Sequence, residues 1–329
     1  MDIHLTPISK LLGQTAVRAE CETEQLHGGS LGDVKLVAGT AETAGGERLP
    51  FKLVWKTQKQ WERYGDPDSW RREYDLYKSE LGTLFTGALR WPECYHAEDN
   101  GGGIALWMEY IDGVSGLDLT GEMYQQAALE LGRFQGRLYA ERPNLLQSLT
   151  NLSGTDAMKN FYRHYRSWDV VYNYIRSEGC GIPKHLCQMM IETDEEADEI
   201  WSRIERLPVV LCHRDFWVTN IFHTGGGIRL IDWDTTGWGH LGEDIVSLIA
   251  DEADVDHMVE YCHTCAAAYG RGFSEFAGIS PDLLLRERII LHFGYRLVEW
   301  YLNAETDEGK ALQAATLQKI YEMKEENAC

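Results

Sequence analysis

The sequence predicts an α+β chain in two lobes, a five-stranded antiparallel sheet with one helix followed by a mostly helical lobe. Three observations carry this. Up to Tyr110, short apolar runs alternate with glycine turns; beyond Asp112, apolar residues recur at helical spacing; and a strand-turn-strand segment interrupts the helices between Val209 and Asp234. At 329 residues the chain is long for a single core, which favours a division into lobes of 1–111 and 112–329.

Taken in order, Cys21 to Leu26, Asp33 to Ala38 and Phe51 to Lys56 read as an antiparallel meander, turned by Gly28-Gly29-Ser30-Leu31-Gly32 and by Gly45-Gly46. A helix follows from Ser69 through Leu81. Arg90 to His96 and Ile104 to Tyr110, parted by Asp99-Asn100-Gly101-Gly102-Gly103, complete the sheet. Met123, Ala127, Leu131, Phe134 and Leu138 form one stripe of a long helix. Phe161, Tyr165, Trp168 and Tyr172 stripe a second, and Lys184 to Arg206 a third, which Pro208 stops. Helices from Ile245 to Ala250, Val255 to Tyr269 and Pro281 to Asn303, then a shorter one, fill the remainder.

The stretch Val209 to Asp234 organises the chain. Its apolar runs Val209 to Cys212 and Ile228 to Ile231 each end at a polar group, as buried strands delivering side chains to one place would. Gly225-Gly226-Gly227 is spaced for a tight hairpin, which draws Asp215, Asn220 and Asp232 toward one end. Three oxygen-bearing side chains at such a corner suit Mg²⁺, which takes one or two carboxylates and leaves room for substrate phosphates. Taken singly, His213, Asp215 and Asn220 read as turn residues. Taken together, His213-Arg214-Asp215 with Asn220 five residues beyond Asp215, then Asp232-Trp233-Asp234 after one hairpin, follow the kinase catalytic-loop spacing.

The segment resembles the aminoglycoside phosphotransferase and choline kinase-like family, which shares the protein-kinase-like bilobal fold. That family usually reads H-G-D-x-x-x-x-N followed by I-D-W-E or I-D-F-D. Arg214 stands where its glycine is usual. Gly237-Trp238-Gly239 followed by Asp244 resembles the family's G-x-G-x-x-x-x-D, whose Asp caps the next helix and braces the loop.

The resemblance implies an ATP-dependent phosphotransferase with Mg²⁺ as cofactor and an alcohol as acceptor. It makes Asp215 the residue that orients the acceptor hydroxyl and takes its proton, and makes Asn220 and Asp232 the metal ligands. Lys56 binds the α- and β-phosphates and is fixed by the helix residue Glu73. Lys52 shares the strand face of Lys56 by period two, so spacing alone does not separate the two. Gly28, Gly29, Ser30 and Gly32 correspond to the phosphate-covering loop, although they do not spell G-x-G-x-x-G. Backbone groups from Glu109 to Ile111 correspond to the adenine hinge. His213 reads as a loop brace, and Asp234 as a carboxylate behind the metal ligands.

Composition bounds the partners. The formal net charge is −21, which disfavours nucleic acid and anionic membrane, because phosphate binding rests on Lys and Arg. The expected partner is a small hydroxyl acceptor carrying positive charge, either polycationic like an aminoglycoside or a choline-like ammonium. Homoserine or a sugar stays open. The run Asp251-Glu252-Ala253-Asp254-Val255-Asp256 with Glu299 offers charge, and Trp217, Trp238, Trp300 and Tyr301 offer rings for cation–π attraction. No basic segment followed by an apolar run opens the sequence, no window reads as a membrane span, and the eight cysteines are scattered. A cytoplasmic protein with free thiols is the expectation. Cys262-His263-Thr264-Cys265 lies in a helical pattern without a second pair, and reads as helix rather than a zinc site. The competing readings are a non-catalytic kinase-fold nucleotide-binding module, which would be marked by loss of the Asp or Lys, and a metal-dependent hydrolase, which would not need the upstream Lys and Glu.

Overall fold

The computed structural model describes residues 4–26, 32–63, 65–164, 168–251, 254–280 and 282–325. In chain order these form α1 (Leu5–Leu12), β1 (Ala16–Gln25), β2 (Gly32–Thr43), β3 (Arg48–Lys59), α2 (Ser69–Lys78), β4 (Leu89–Arg90), β5 (Cys94–Asp99) and β6 (Gly103–Glu109). Helices α3 (Gly121–Glu141), α4 (Ala157–His164), α5 (Trp168–Ile175), α6 (Lys184–Glu195) and α7 (Ala197–Ile204) follow. Then come β7 (Val209–Cys212), β8 (Ile221–Thr224), β9 (Gly227–Leu230), β10 (Gly237–His240), α8 (Glu243–Ala250), α9 (Met258–Ala277), α10 (Leu285–Ile289), a π-helical turn (Ile290–Gly294), α11 (Tyr295–Asn303) and α12 (Asp307–Glu325). None of the described helices is long and apolar enough to cross a membrane.

The chain divides into two compact units, the first made of Met1–Val114, Asn144–Asn151 and Phe222–Thr235, the second of the remainder. The stretch 222–235 thus belongs with the N-terminal sheet, although it lies far along the chain.

In the first unit the expected five-stranded sheet is present, in the order β1-β2-β3-β6-β5. All four pairings are antiparallel. Period-two alternation gives it two apolar faces. Ile8 of α1 packs on one with Val37, Phe51, Leu53, Tyr95 and Trp107; Trp70 of α2 packs on the other with Ile104, Leu106 and Met108. Helix α1 was not anticipated. The strand expected over 90–96 is divided. Leu89 and Arg90 instead pair in parallel with Ile228 and Arg229 of β9, and β5 begins only after Pro92, whose missing N–H interrupts a ladder.

In the second unit α3 and α9 approach closely. A Cβ on Gly132 would lie 2.2 Å from the carbonyl oxygen of Tyr269, and one on Gly272 2.2 Å from that of Leu129. No other residue fits there. The expected third helix breaks at Glu196 (φ −93°, ψ 1°) into α6 and α7, which turns Ala197, Ile200, Trp201 and Ile204 onto Tyr162, Leu284 and Leu291. The expected aromatic helix is two helices, with Tyr165 outside the described residues; Tyr162, Val171 and Ile175 are its buried positions rather than Phe161 and Tyr172. The helix expected from Pro281 starts at Leu285, because Leu284 sits in the left-handed region at φ 53°. Six cysteines, Cys21, Cys94, Cys180, Cys187, Cys212 and Cys265, are free thiols, whereas Cys262 is disulfide-bonded, contrary to the expectation of free thiols throughout.

Candidate active site

Period two leaves Lys52 exposed at one end of its strand face and buries Lys56 further along the same face. The Lys52 ammonium sits 5.0 Å from the Tyr110 ring centroid. Lys56 is 6% exposed, and its Nζ lies 2.6 Å from Glu73 Oε2 and 2.5 Å from Asp232 Oδ1. Burial opposes its charge, but Asp232, Glu73 and Asp234 outweigh burial and hold its pKa well above the ordinary lysine value. Two of its three ammonium donors are thereby occupied.

Glu73 also accepts from the backbone N–H of Trp233 through its other oxygen, at 3.4 Å. The segment after β9 is fixed further by Arg72, 2% exposed, whose guanidinium donates to the backbone oxygens of Asp234 (2.8 Å) and Asn151 (2.8 Å) and to Asp66 (2.8 Å). Asp232 is held at φ 66°, a left-handed conformation that costs a non-glycine residue of order 1–3 kcal/mol and is retained where the surroundings impose it. Asp234 accepts from Arg63 (3.2 Å) and Gln58 (3.3 Å). Its burial, with the Asp232 charge beside it, pushes its pKa up to about 7.

The other residues expected to meet the nucleotide in this unit are placed as follows. Gly28, Gly29 and Ser30 lie outside the described residues. Gly32 opens β2 opposite Gln58. The backbone N–H of Glu109 is taken by the Glu93 carbonyl at 2.8 Å, and its carboxylate accepts from the Glu93 N–H (3.1 Å) and from Arg229 (3.4 Å). That removes one of the hinge donors. Ile111 follows β6 outside regular structure.

In the second unit, Asn220 donates both amide hydrogens to Asp215, one to its carbonyl and one to Oδ2, each at 2.9 Å. This fixes the Asp215 carboxylate and turns the Asn220 amide oxygen away from it. The loop itself hangs on Asp244 at the start of α8. Its carboxylate accepts from the N–H groups of His213 (3.0 Å) and Arg214 (2.7 Å) and from Gln135 (2.9 Å). Burial pushes the Asp244 pKa up to about 7, against the lowering by the two backbone donors. Gln135 also donates to the Leu211 carbonyl (3.0 Å) and accepts from the Tyr269 hydroxyl (2.5 Å).

Arg214 takes φ 68°, a conformation glycine adopts without strain. Its guanidinium is buried, donating to Glu243 (2.7 Å), the Trp238 carbonyl (2.5 Å), the Gly154 carbonyl (2.9 Å) and the Ser153 hydroxyl. Strand β10 pairs with β7, Gly237 opposite Cys212 and Gly239 opposite Val210. A Cβ on Gly237 would meet the Ser153 hydroxyl at 2.2 Å and Arg214 Nη1 at 2.5 Å; one on Gly239 would meet Glu243 at 2.4 Å. The two glycines make room for the Arg214–Glu243 pair. Sequence reasoning did not assign Glu243, Ser153, Gln135 or Arg72. The adjacent acids Glu243-Asp244 opening an apolar helix were the one available signal.

Part of the acidic run is already neutralised. Asp251 pairs with Arg296 at 2.9 Å, and Arg296 lies 5.5 Å from the Trp300 ring centroid. Asp254 pairs with His257 at 2.7 Å and caps the turn at Asp256. Glu252 is outside the described residues.

A lysine paired with a helix glutamate, beside an aspartate-bearing turn after a hairpin, sits on a sheet of the protein-kinase-like fold. Residues 67–280 match the model of the phosphotransferase enzyme family, and the chain belongs to that family. Lys56 precedes the matched span, so its assignment rests on its ion pair with Glu73. Among solved structures, a choline kinase from Cryptosporidium parvum Iowa II is similar at TM-score 0.56 and 16% identity, covering 94% of this chain and 91% of that one. An aminoglycoside phosphotransferase from Alicyclobacillus acidocaldarius is similar at TM-score 0.54 and 14% identity, covering 92% of each chain. An amicoumacin kinase in complex with AMP-PNP and Ca²⁺ is similar at TM-score 0.53 and 14% identity, covering 91% of this chain and 87% of that one. At such identities these likenesses establish the fold. No curated protein matches the sequence.

Proposed function

We propose that this chain is an ATP-dependent small-molecule kinase, transferring the γ-phosphate to a hydroxyl of a small cationic acceptor that is aminoglycoside-like or choline-like. The observation that carries the reading is the buried Lys56, bonded to Glu73 and Asp232 at once. Phosphoryl transfer asks a protein mainly to position groups and to neutralise charge. Lys56 has one ammonium donor left for an α- or β-phosphate oxygen. By the family resemblance, Asp232 and Asn220 are the residues that would hold Mg²⁺, a hard cation that prefers oxygen ligands and would supply charge neutralisation on the phosphates. Asp215, oriented by the Asn220 amide, receives the acceptor hydroxyl and takes its proton as the oxygen bonds to the γ-phosphorus and the bond to the β–γ bridging oxygen breaks, releasing ADP. The strained backbone of Asp232 suits a residue held for function rather than for packing.

The −21 net charge favours a cationic acceptor. Among the described residues of the run, Asp251 and Asp254 are engaged internally, which leaves Asp256, together with Glu299, to contribute. A cytoplasmic location accords with ATP as donor. A non-catalytic module is disfavoured, because Lys56, Glu73, Asp215, Asn220 and Asp232 are all retained. The test is ADP release over a panel of aminoglycosides, choline, ethanolamine and small sugars, with wild type and Asp215→Asn compared on the best acceptor. Loss of the base should lower kcat by ~10²- to 10⁴-fold with nucleotide affinity kept. A near-normal kcat in the variant would remove Asp215 from the chemistry, and a panel with only neutral or anionic hits would remove the cationic acceptor.

A further inference from the structure

Away from these groups, on the edge strand of the N-terminal sheet, His96 and Glu98 occupy alternate positions of β5 and so share one face. His4, the residue that precedes α1, meets them there. Its Nε2 lies 3.2 Å from Glu98 Oε1, and His96 Nε2 lies 2.7 Å from the same oxygen. One potential ligand atom from each of the three residues falls within 4.8 Å of the others. They form the one such group of His, Cys, Asp or Glu among the described residues. The two imidazole centroids are 5.5 Å apart, and the His4 ring is set against buried Trp107 at 6.1 Å.

We propose that His4, His96 and Glu98 form a binding site for a divalent transition-metal ion of the zinc type, with water as fourth ligand. Two imidazoles and a carboxylate suit borderline ions rather than Mg²⁺ or Ca²⁺, which require mainly oxygen donors. Around zinc, ligand distances of about 2.0–2.1 Å in a tetrahedron place neighbouring donor atoms about 3.3 Å apart. The His4–Glu98 separation meets that value, the His96–Glu98 separation reaches it by a small opening of a half-exposed side chain, and the two imidazole donors, within 4.8 Å of each other, close on the ion by rotation of the exposed His4. Each ring offers the Nε2 lone pair to the metal once its proton sits on Nδ1, and the Glu98 charge offsets half that of the ion. The site joins residues more than ninety positions apart, and a clip that closes a long loop gains the most by restricting the unfolded chain. Its occupant would staple α1 to the edge of the sheet.

The test is calorimetric titration of ZnCl₂ into the full chain, freed of any histidine tag and of bound metal, in excess MgCl₂ to occupy oxygen-rich sites. One equivalent should bind, with affinity falling more than tenfold in His4→Gln and in His96→Gln. Zinc should also slow amide exchange across Leu5–Leu12 in the wild type alone. His4 is exposed, so its variant keeps the test valid if His96→Gln misfolds. Absence of micromolar zinc binding, or binding undiminished in His4→Gln, would overturn the proposal.

Discussion

Replacing Lys56 by Met keeps the buried aliphatic stem and removes only the charge that Glu73 and Asp232 share. Both carboxylates touch one nitrogen, at 2.6 and 2.5 Å, so the two oxygens lie at most about 5 Å apart. At an effective dielectric of about 20 their repulsion is then roughly 3 kcal/mol. Removing one partner from a buried ion pair costs about 3–5 kcal/mol by experience elsewhere, and the two figures agree. A loss of that size should lower Tm by roughly 4–7 °C for a chain of 329 residues. The deficit should shrink on acidification from neutral pH, as one of the stranded carboxyls takes up a proton and the repulsion disappears. Lys56→Met combined with Asp232→Asn should recover part of it at neutral pH for the same reason. Differential scanning calorimetry of the three proteins across pH measures all of this. A Lys56→Met variant as stable as wild type, or a deficit independent of pH, would show that the three groups do not interact as their distances imply.

Asp232→Ala should weaken MgATP much more than Mg²⁺-free ATP, since its carboxylate is proposed to act through the metal; calorimetric titration with and without Mg²⁺ decides, and equal losses would make it structural. Asp234 holds its proton up to about pH 7 when folded and to about 3.9 when unfolded. The folded state therefore binds more protons between those values, and stability falls as pH rises through them. Asp234→Asn should abolish that decline, so wild-type Tm should drop relative to the variant between about pH 4 and 7; a flat difference would refute it. Arg214→Gly relieves the left-handed strain but strands buried Glu243, so urea denaturation should show a net loss of about 2–4 kcal/mol. A gain in stability would mean that the ion pair contributes less than the backbone strain costs.

The strands and the loop motif were legible because period-two alternation and catalytic spacing are local properties. Lys52 and Lys56 were inseparable by that logic, since they share a strand face. Burial separates them, and burial depends on α2 and on residues 222–235, far away in sequence. The single helix expected over 184–206 contains no glycine or proline to announce the turn at Glu196. Met258, Tyr261 and Cys265 show the helical period within α9, yet nothing local reveals that Gly272 must touch Leu129. Composition presented Asp251 to Asp256 as free negative charge, whereas Arg296, forty-five residues on, already answers part of it. Arg214 looked like a departure from the resembling family's glycine. Its partner Glu243 and the room left by Gly237 and Gly239 become visible only in three dimensions.

The close approach of α3 and α9 also sets an order of events during synthesis. The loop from His213 to Asn220 leaves the ribosome before Asp244, which holds its two backbone N–H groups, and well before Tyr269, whose hydroxyl reaches Gln135 across 134 positions of sequence. Gln135 emerges early and waits on the growing chain with two polar ends to satisfy. Until α9 is complete and Gly272 has settled against Leu129, that side chain has no fixed partner for its carbonyl. The acceptor lies beyond the loop in sequence, so a nascent chain halted before residue 244 would carry every residue of the His213–Asn220 motif without the carboxylate that receives its backbone N–H groups.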